Sequence, residues 1–191
     1  MRILLIGAGG VGTAATGIAA RRRFFETCVV ADHDLDRARR AVEPLGDERF
    51  VATRVDAATA GAVTELCRAH GITHVVNAVD PRFVMPIFDG ALAAGADYLD
   101  MAMSLSRPHP EQPYERTGVK LGDEQFAAAG RWADAGRLAL VGMGVEPGLS
   151  DVFARYAADE LFAEIDELGT RDGANLTVDG YDFAPSFSIW T

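Results

Sequence analysis

Three glycines and a carboxylate have the types and spacing to hold a nucleotide. Gly7, Gly9 and Gly12 lie in the run Gly7-Ala8-Gly9-Gly10-Val11-Gly12, and Asp32 closes the next apolar stretch. A glycine at position 7 lets the chain turn sharply out of a strand. One at position 9 leaves no side chain in the way of an approaching diphosphate, and one at position 12 lets a helix lie close to the strand. Gly10 and Val11 belong to the same turn, and the N-terminus of the helix after it offers free N–H groups and a partial positive charge to the anion. Asp32, with His33 beside it, suits an acceptor for both hydroxyls of an adenosine ribose. A 2′-phosphate at that place meets a negative charge, and His33 is not the arginine that often neutralises one, so the pattern favours NAD over NADP.

These residues need a strand-helix-strand frame, and the sequence supplies one. Arg2-Ile3-Leu4-Leu5-Ile6 is a short apolar strand, residues 14–23 read as helix, and Thr27-Cys28-Val29-Val30-Ala31 reads as a second buried strand. The alternation continues with helices predicted at 35–45, 59–70, 83–94 and 123–135. Strands are predicted at 50–55, 73–76, 98–100 and 138–141. Such βαβα order predicts a doubly wound parallel α/β sheet of Rossmann type, with ligands at the C-terminal edge of its strands. Asp100, Met101, Arg107 and Glu146 fall on strand ends or loops at that edge and are the candidates for the substrate side. No Ser-His-Asp, paired-carboxylate or Cys-His arrangement is evident, and no catalytic residue is assigned.

Two stretches interrupt the alternation. Residues 104–122 are rich in proline, glycine and polar residues, too long for an ordinary connection of ~2–6 residues. They leave a strand at its C-terminal end and suit a flap over the ligand, a subunit contact or a neutral insertion. Residues 142–151 carry Gly144-Val145-Glu146-Pro147-Gly148 and open a helix running to 161, with Ser150 or Asp151 as its cap. Beyond 162 the pattern changes. Strands of a different sheet are predicted at 165–170 and 176–178, joined by a hairpin. Residues 1–150 thus read as one domain, and 151–191 as the beginning of a second, α+β domain that the chain does not complete.

Composition narrows the class. The 191 residues are 49% hydrophobic and 24% charged, as in ordinary globular domains, and the net charge of −10 argues against nucleic acid or an anionic membrane as partner. Residues 3–20 carry no charge, but their glycines, threonines and alanines lack the dense apolar run of a membrane span or signal peptide. A cytoplasmic location is expected. Cys28 and Cys67 read as small core residues, and the four histidines lack metal-ligand spacing, so no metal site is expected.

The opening glycine run, the Val30-Ala31-Asp32 strand end, Val76-Asn77-Ala78 and Gly144-Val145-Glu146-Pro147-Gly148 together resemble the saccharopine dehydrogenase-like family of NAD(P)-dependent oxidoreductases. The likeness covers nearly the whole chain, and the Gly-x-x-Pro-Gly element is its more specific part. It implies hydride transfer at a C–N bond of an amino acid or polyamine, and a homodimeric parent protein with a larger α+β domain for the substrate. It also implies that Gly7, Gly9, Val11 and Gly12 hold the diphosphate and Asp32 the ribose. By the same likeness Asp56 and Ala57 lie near the adenine, and Asn77 and Ala78 near the nicotinamide ribose. Asp56 equally suits a helix cap and Asn77 a turn. The chain departs from the family pattern in the 104–122 insertion. The other reading of the same fold is a nucleotide-sensing regulatory module without catalysis.

Overall fold

Successive residues of the first strand belong to different cores. In β1 (Arg2–Ile6), Leu4 and Ile6 pack with Val29, Ala31 and Val75, whereas Ile3 and Leu5 pack with Cys28, Val30 and Phe50. Side chains along a strand alternate between faces, so a strand that is apolar at every position from Ile3 to Ile6 requires cover on both sides. The computed structural model, which describes residues 1–171, supplies that cover. The helices α1 (Gly10–Ala19) and α2 (Leu35–Val42) pack on one face. On the other lie α3 (Ala60–Ala69), α4 (Val84–Ala94) and α6 (Ala129–Asp134).

The sheet contains β1, β2 (Thr27–Asp32), β3 (Phe50–Arg54), β4 (His74–Asn77), β5 (Asp97–Asp100) and β6 (Ala139–Leu140). All pairings are parallel, in the order β3-β2-β1-β4-β5-β6. The chain therefore winds outward through β2 and β3, then crosses to the far side of β1 and winds outward again. The reversal leaves a crevice between the C-terminal ends of β1 and β4, the place where doubly wound sheets take ligands. This is the expected Rossmann-type α/β fold.

Glycines set how closely the parts meet at the crevice. Gly7 has φ +106°, and a Cβ on it would lie 2.6 Å from the Ala78 carbonyl oxygen. Gly12 is more constrained, because a Cβ there would lie 1.7 Å from the Gly7 oxygen. Helix α1 therefore rests directly on the backbone of the turn. Elsewhere carboxylates take up backbone N–H groups at helix starts. The Asp34 carboxylate accepts from the Asp36 N–H at 2.9 Å to start α2. Of Ser150 and Asp151, the two caps expected for α7 (Leu149–Tyr156), neither is the N-cap, which is Gly148; Asp151, at the third helical position, accepts from the Gly148 N–H at 2.9 Å.

Three expectations of element bounds or type change. The helix predicted over 14–23 is α1, which starts four residues earlier, at Gly10, and ends at Ala19. The helix predicted over 123–135 is two short helices, α5 (Asp123–Ala127) and α6, broken at Ala128, which leaves helical backbone at ψ 1°. The insertion 104–122 has no helix or strand; paired N–H···O bonds between Arg107 and Val119 (2.9 and 2.8 Å) close its neck. Residues 165–170 form no strand. Ile165 and Leu168 are exposed, and among the described residues no strand pairs with this segment. The strand expected at 176–178, with most of its hairpin, lies outside the described residues. Among the described residues no helix is long and apolar enough to cross a membrane.

The contact between α1 and the turn gives a direct test. Gly12→Ala should lower the unfolding free energy by about 3 kcal/mol, because the added carbon meets backbone that cannot step aside. Urea denaturation of both proteins measures this, and an unchanged midpoint would show that the helix can move off the turn at little cost.

Candidate functional site

The crevice is built from the ends of four strands. At the β1 end the Gly7 N–H donates to the Ala31 oxygen (2.7 Å), and at the β4 end the Ala78 N–H donates to the Ile6 oxygen (2.8 Å). The turn is thus fixed to both neighbouring strands. Gly9 caps α1 without any side-chain hydrogen bond, so the helix geometry leaves the first-turn N–H groups of Gly10, Val11 and Gly12 without intrahelical acceptors. A Cβ at Gly9 would meet nothing within 4 Å. The space above the turn is open, and the amide groups facing it are those an anion would use.

Asp32 is tied to the same turn. One carboxylate oxygen accepts from the Ala8 N–H at 2.8 Å and the other from the Asp34 N–H at 2.9 Å. Each oxygen retains acceptor capacity beyond these bonds. Arg54, at the end of β3, lies opposite Asp32 in the parallel register and donates from Nε to the His33 oxygen at 3.1 Å. Sequence reasoning passed over this arginine. The strand order supplies the missing signal, since β3 pairs with β2 and sets Arg54 opposite Asp32.

A cavity of about 150 Å³ lies next to the turn, lined by Val11, Asn77, Ala78, Val79, Val84, Asp100, Met101 and Ala102. It draws together candidates from both sides of the sequence reading: Val11, Asn77 and Ala78 from the cofactor set, and Asp100 and Met101 from the substrate set. Beneath it runs a buried polar network. The Asn77 amide donates to the Tyr98 hydroxyl (3.0 Å), which donates to Asp100 (2.9 Å); the Gln125 amide also donates to Asp100 (2.7 Å). The backbone N–H groups of Gly142 (2.7 Å) and Met103 (3.3 Å) reach the other Asp100 oxygen. Burial, with the Asp100 charge beside it, pushes the Tyr98 phenol well above its ordinary range, so it stays protonated.

The other candidates lie elsewhere. Asp56 is exposed and its carboxylate accepts from the Ala58 N–H at 3.0 Å in the turn before α3, while Ala57 packs against the core. Arg107 pairs with Glu124 and lines a separate 430 Å³ pocket within the insertion, which shares no lining residue with the cavity beside Asn77. Glu146 is exposed and accepts from the Thr170 hydroxyl at 2.6 Å. Gln125 and Tyr98, unremarked in the sequence, prove central because they converge on Asp100 from different elements. Cys28 and Cys67 are buried free thiols; burial raises them to about 12 and about 11, which keeps them protonated and inert. Among the described residues no group of His, Cys, Asp and Glu side chains could hold a metal ion.

Comparison with known proteins agrees with this geometry. The model of the saccharopine dehydrogenase NADP binding domain matches residues 3–140. Carboxyaminopropylagmatine dehydrogenase of Synechocystis is 28% identical over 187 residues, covering 98% of this chain and 45% of that protein. Carboxynorspermidine synthase of Vibrio cholerae is 28% identical over 196 residues, covering 98% and 46%. The chain thus spans about half the length of the curated relatives it matches. Among solved structures, saccharopine dehydrogenase (L-Glu forming) from Saccharomyces cerevisiae superposes with a TM-score of 0.63 at 18% identity, over 84% of this chain and 31% of that one. GenD2 from gentamicin A biosynthesis, in complex with NAD, superposes with a TM-score of 0.57 at 18% identity, over 84% and 39%. These two likenesses bear on the fold alone. A matched model over most of the chain, on a glycine turn and crevice of the right form, places this protein in the saccharopine dehydrogenase family, as its nicotinamide-dinucleotide-binding domain.

Proposed function

We propose that this chain is the cofactor-binding part of an oxidoreductase that transfers hydride at a C–N bond of an amino acid or polyamine, with NAD as its cofactor. The observation that carries the reading is the open glycine turn at the sheet's reversal point, with a carboxylate at one end and a small cavity at the other. The residues present fit the group. The amides of Gly10, Val11 and Gly12 would hold the diphosphate, with Gly7 and Gly9 keeping its approach clear. Asp32 would hold the adenosine ribose, with His33 beside it. Asp56 and Ala57 would stand near the adenine, and Asn77 and Ala78, which line the small cavity, near the nicotinamide ribose. When bound, the cofactor supplies or accepts the hydride. The protein binds and orients it and keeps water from the reacting face.

The substrate class rests on family membership and on relatives whose names denote enzymes of carboxylated polyamines. A small amine or amino acid needs groups beyond the cavity to hold it over the cofactor, and good positioning is worth roughly 7–11 kcal/mol of the barrier. Residues 1–150 are assigned to cofactor binding and 151–191 to the start of a substrate domain. Arg107 and Glu146 remain candidates on that side.

The choice of NAD rests on Asp32, whose carboxylate a 2′-phosphate would have to approach. Titration calorimetry should show NAD bound at least about tenfold more tightly than NADP. NADP bound equally or better would instead assign Arg54 to the 2′-phosphate. Gly9→Val should abolish binding of either cofactor while the circular dichroism spectrum stays unchanged, because the added Cβ enters open space with no protein atom within 4 Å. Binding retained by this variant would remove the diphosphate from the turn.

A further inference from the structure

The hydrogen-bond directions around Asp100 are fixed by groups that can act in one sense only. The Val79 N–H donates to the Asn77 amide oxygen at 3.1 Å, so the Asn77 NH₂ must face Tyr98. The Ser104 N–H donates to the Gln125 amide oxygen at 2.8 Å, so the Gln125 NH₂ must face Asp100. The Tyr98 hydroxyl accepts from the Asn77 amide and donates its own hydrogen to Asp100. The backbone N–H groups of Gly142 and Met103 can only donate. Every neighbour therefore offers Asp100 a hydrogen, and both its oxygens act as acceptors, as in a carboxylate.

This carboxylate is 1% exposed, and among the described residues it has no cation at ion-pair distance. It is also the one formally charged residue among those lining the cavity beside Asn77. An anion held in low dielectric by dipoles alone projects its field into the adjoining space and favours positive charge there. The structure assigns Asp100 a role: we propose that it is a fixed negative charge that makes this cavity prefer the cationic, oxidised nicotinamide ring to the neutral, reduced one. The inference rests on the dinucleotide reading and adds a direction to it. Stabilising the oxidised ring makes the reduced cofactor a stronger hydride donor, so the charge favours reduction of a bound imine over oxidation of an amine. In that reduction two electrons and one hydrogen pass from the reduced ring to the imine carbon. The imine nitrogen, protonated from solvent, becomes an amine, and the ring becomes the cation that Asp100 favours.

The test compares dissociation constants of the oxidised and reduced cofactor, by calorimetry, for the wild-type protein and Asp100→Asn, using whichever of the NAD and NADP pairs binds. ADP-ribose, which lacks the ring, serves as reference. Wild-type protein should bind the oxidised form about tenfold more tightly than the reduced form, and Asp100→Asn should lose about that factor while ADP-ribose affinity is unchanged. A ratio that stays the same in Asp100→Asn overturns the assignment. If that variant does not fold, the wild-type ratio decides, and a reduced form bound as tightly as the oxidised form overturns it. ADP-ribose bound normally alongside either failure leaves the dinucleotide reading standing. Failure of all three ligands to bind the wild-type protein overturns both.

Discussion

Helix α1 rests on the turn that precedes it with no atom to spare, since a Cβ at Gly12 would sit 1.7 Å from the Gly7 oxygen. This contact fixes the direction of the helix relative to β1, and with it the place where the first-turn amides point. The turn itself is held from both sides by Ala31 of β2 and Ala78 beyond β4. The three parts that a dinucleotide would need, a ribose acceptor, a set of free amides and a ring cavity, therefore have a common anchor. Movement of the helix by even one methyl group would separate them.

The far end of the crevice is held by polar groups instead. Asp100 collects donors from β5, the loop after it, α5 and the segment after β6, and so joins four pieces of chain. Buried networks of this kind are costly when incomplete and rigid when complete. Here the amides of Asn77 and Gln125 are each oriented by a backbone N–H, so the network admits one arrangement. The base of the 104–122 insertion is part of it through Ser104.

Much of the fold was legible because the apolar runs and glycine spacing are local signals. The run from Ile3 to Ile6 and the terminal Asp32 identify a βαβ unit without reference to the rest of the chain. Residues whose roles come from convergence were not legible. Arg54 acquires its place from strand order, and Gln125 from the return of the chain after an irregular insertion. Asp100 was visible as a strand-end acid, but its enclosure by Tyr98, Gln125, Gly142 and Met103 depends on contacts far apart in sequence. The strand expected at 165–170 is also absent: Ile165 and Leu168 stand exposed, so the described residues bury no apolar face there.

The central claim is that a nicotinamide dinucleotide lies along the reversal crevice, from Asp32 past the glycine turn to Asn77. Hydrogen–deuterium exchange of the whole chain, with and without saturating cofactor, tests it most directly. Added protection should appear at residues 8–13, 32–34 and 77–79, with the insertion pocket around 106–121 unchanged. Protection confined to the insertion, or absent from the glycine turn while the cofactor is bound, would place the ligand elsewhere and refute the claim.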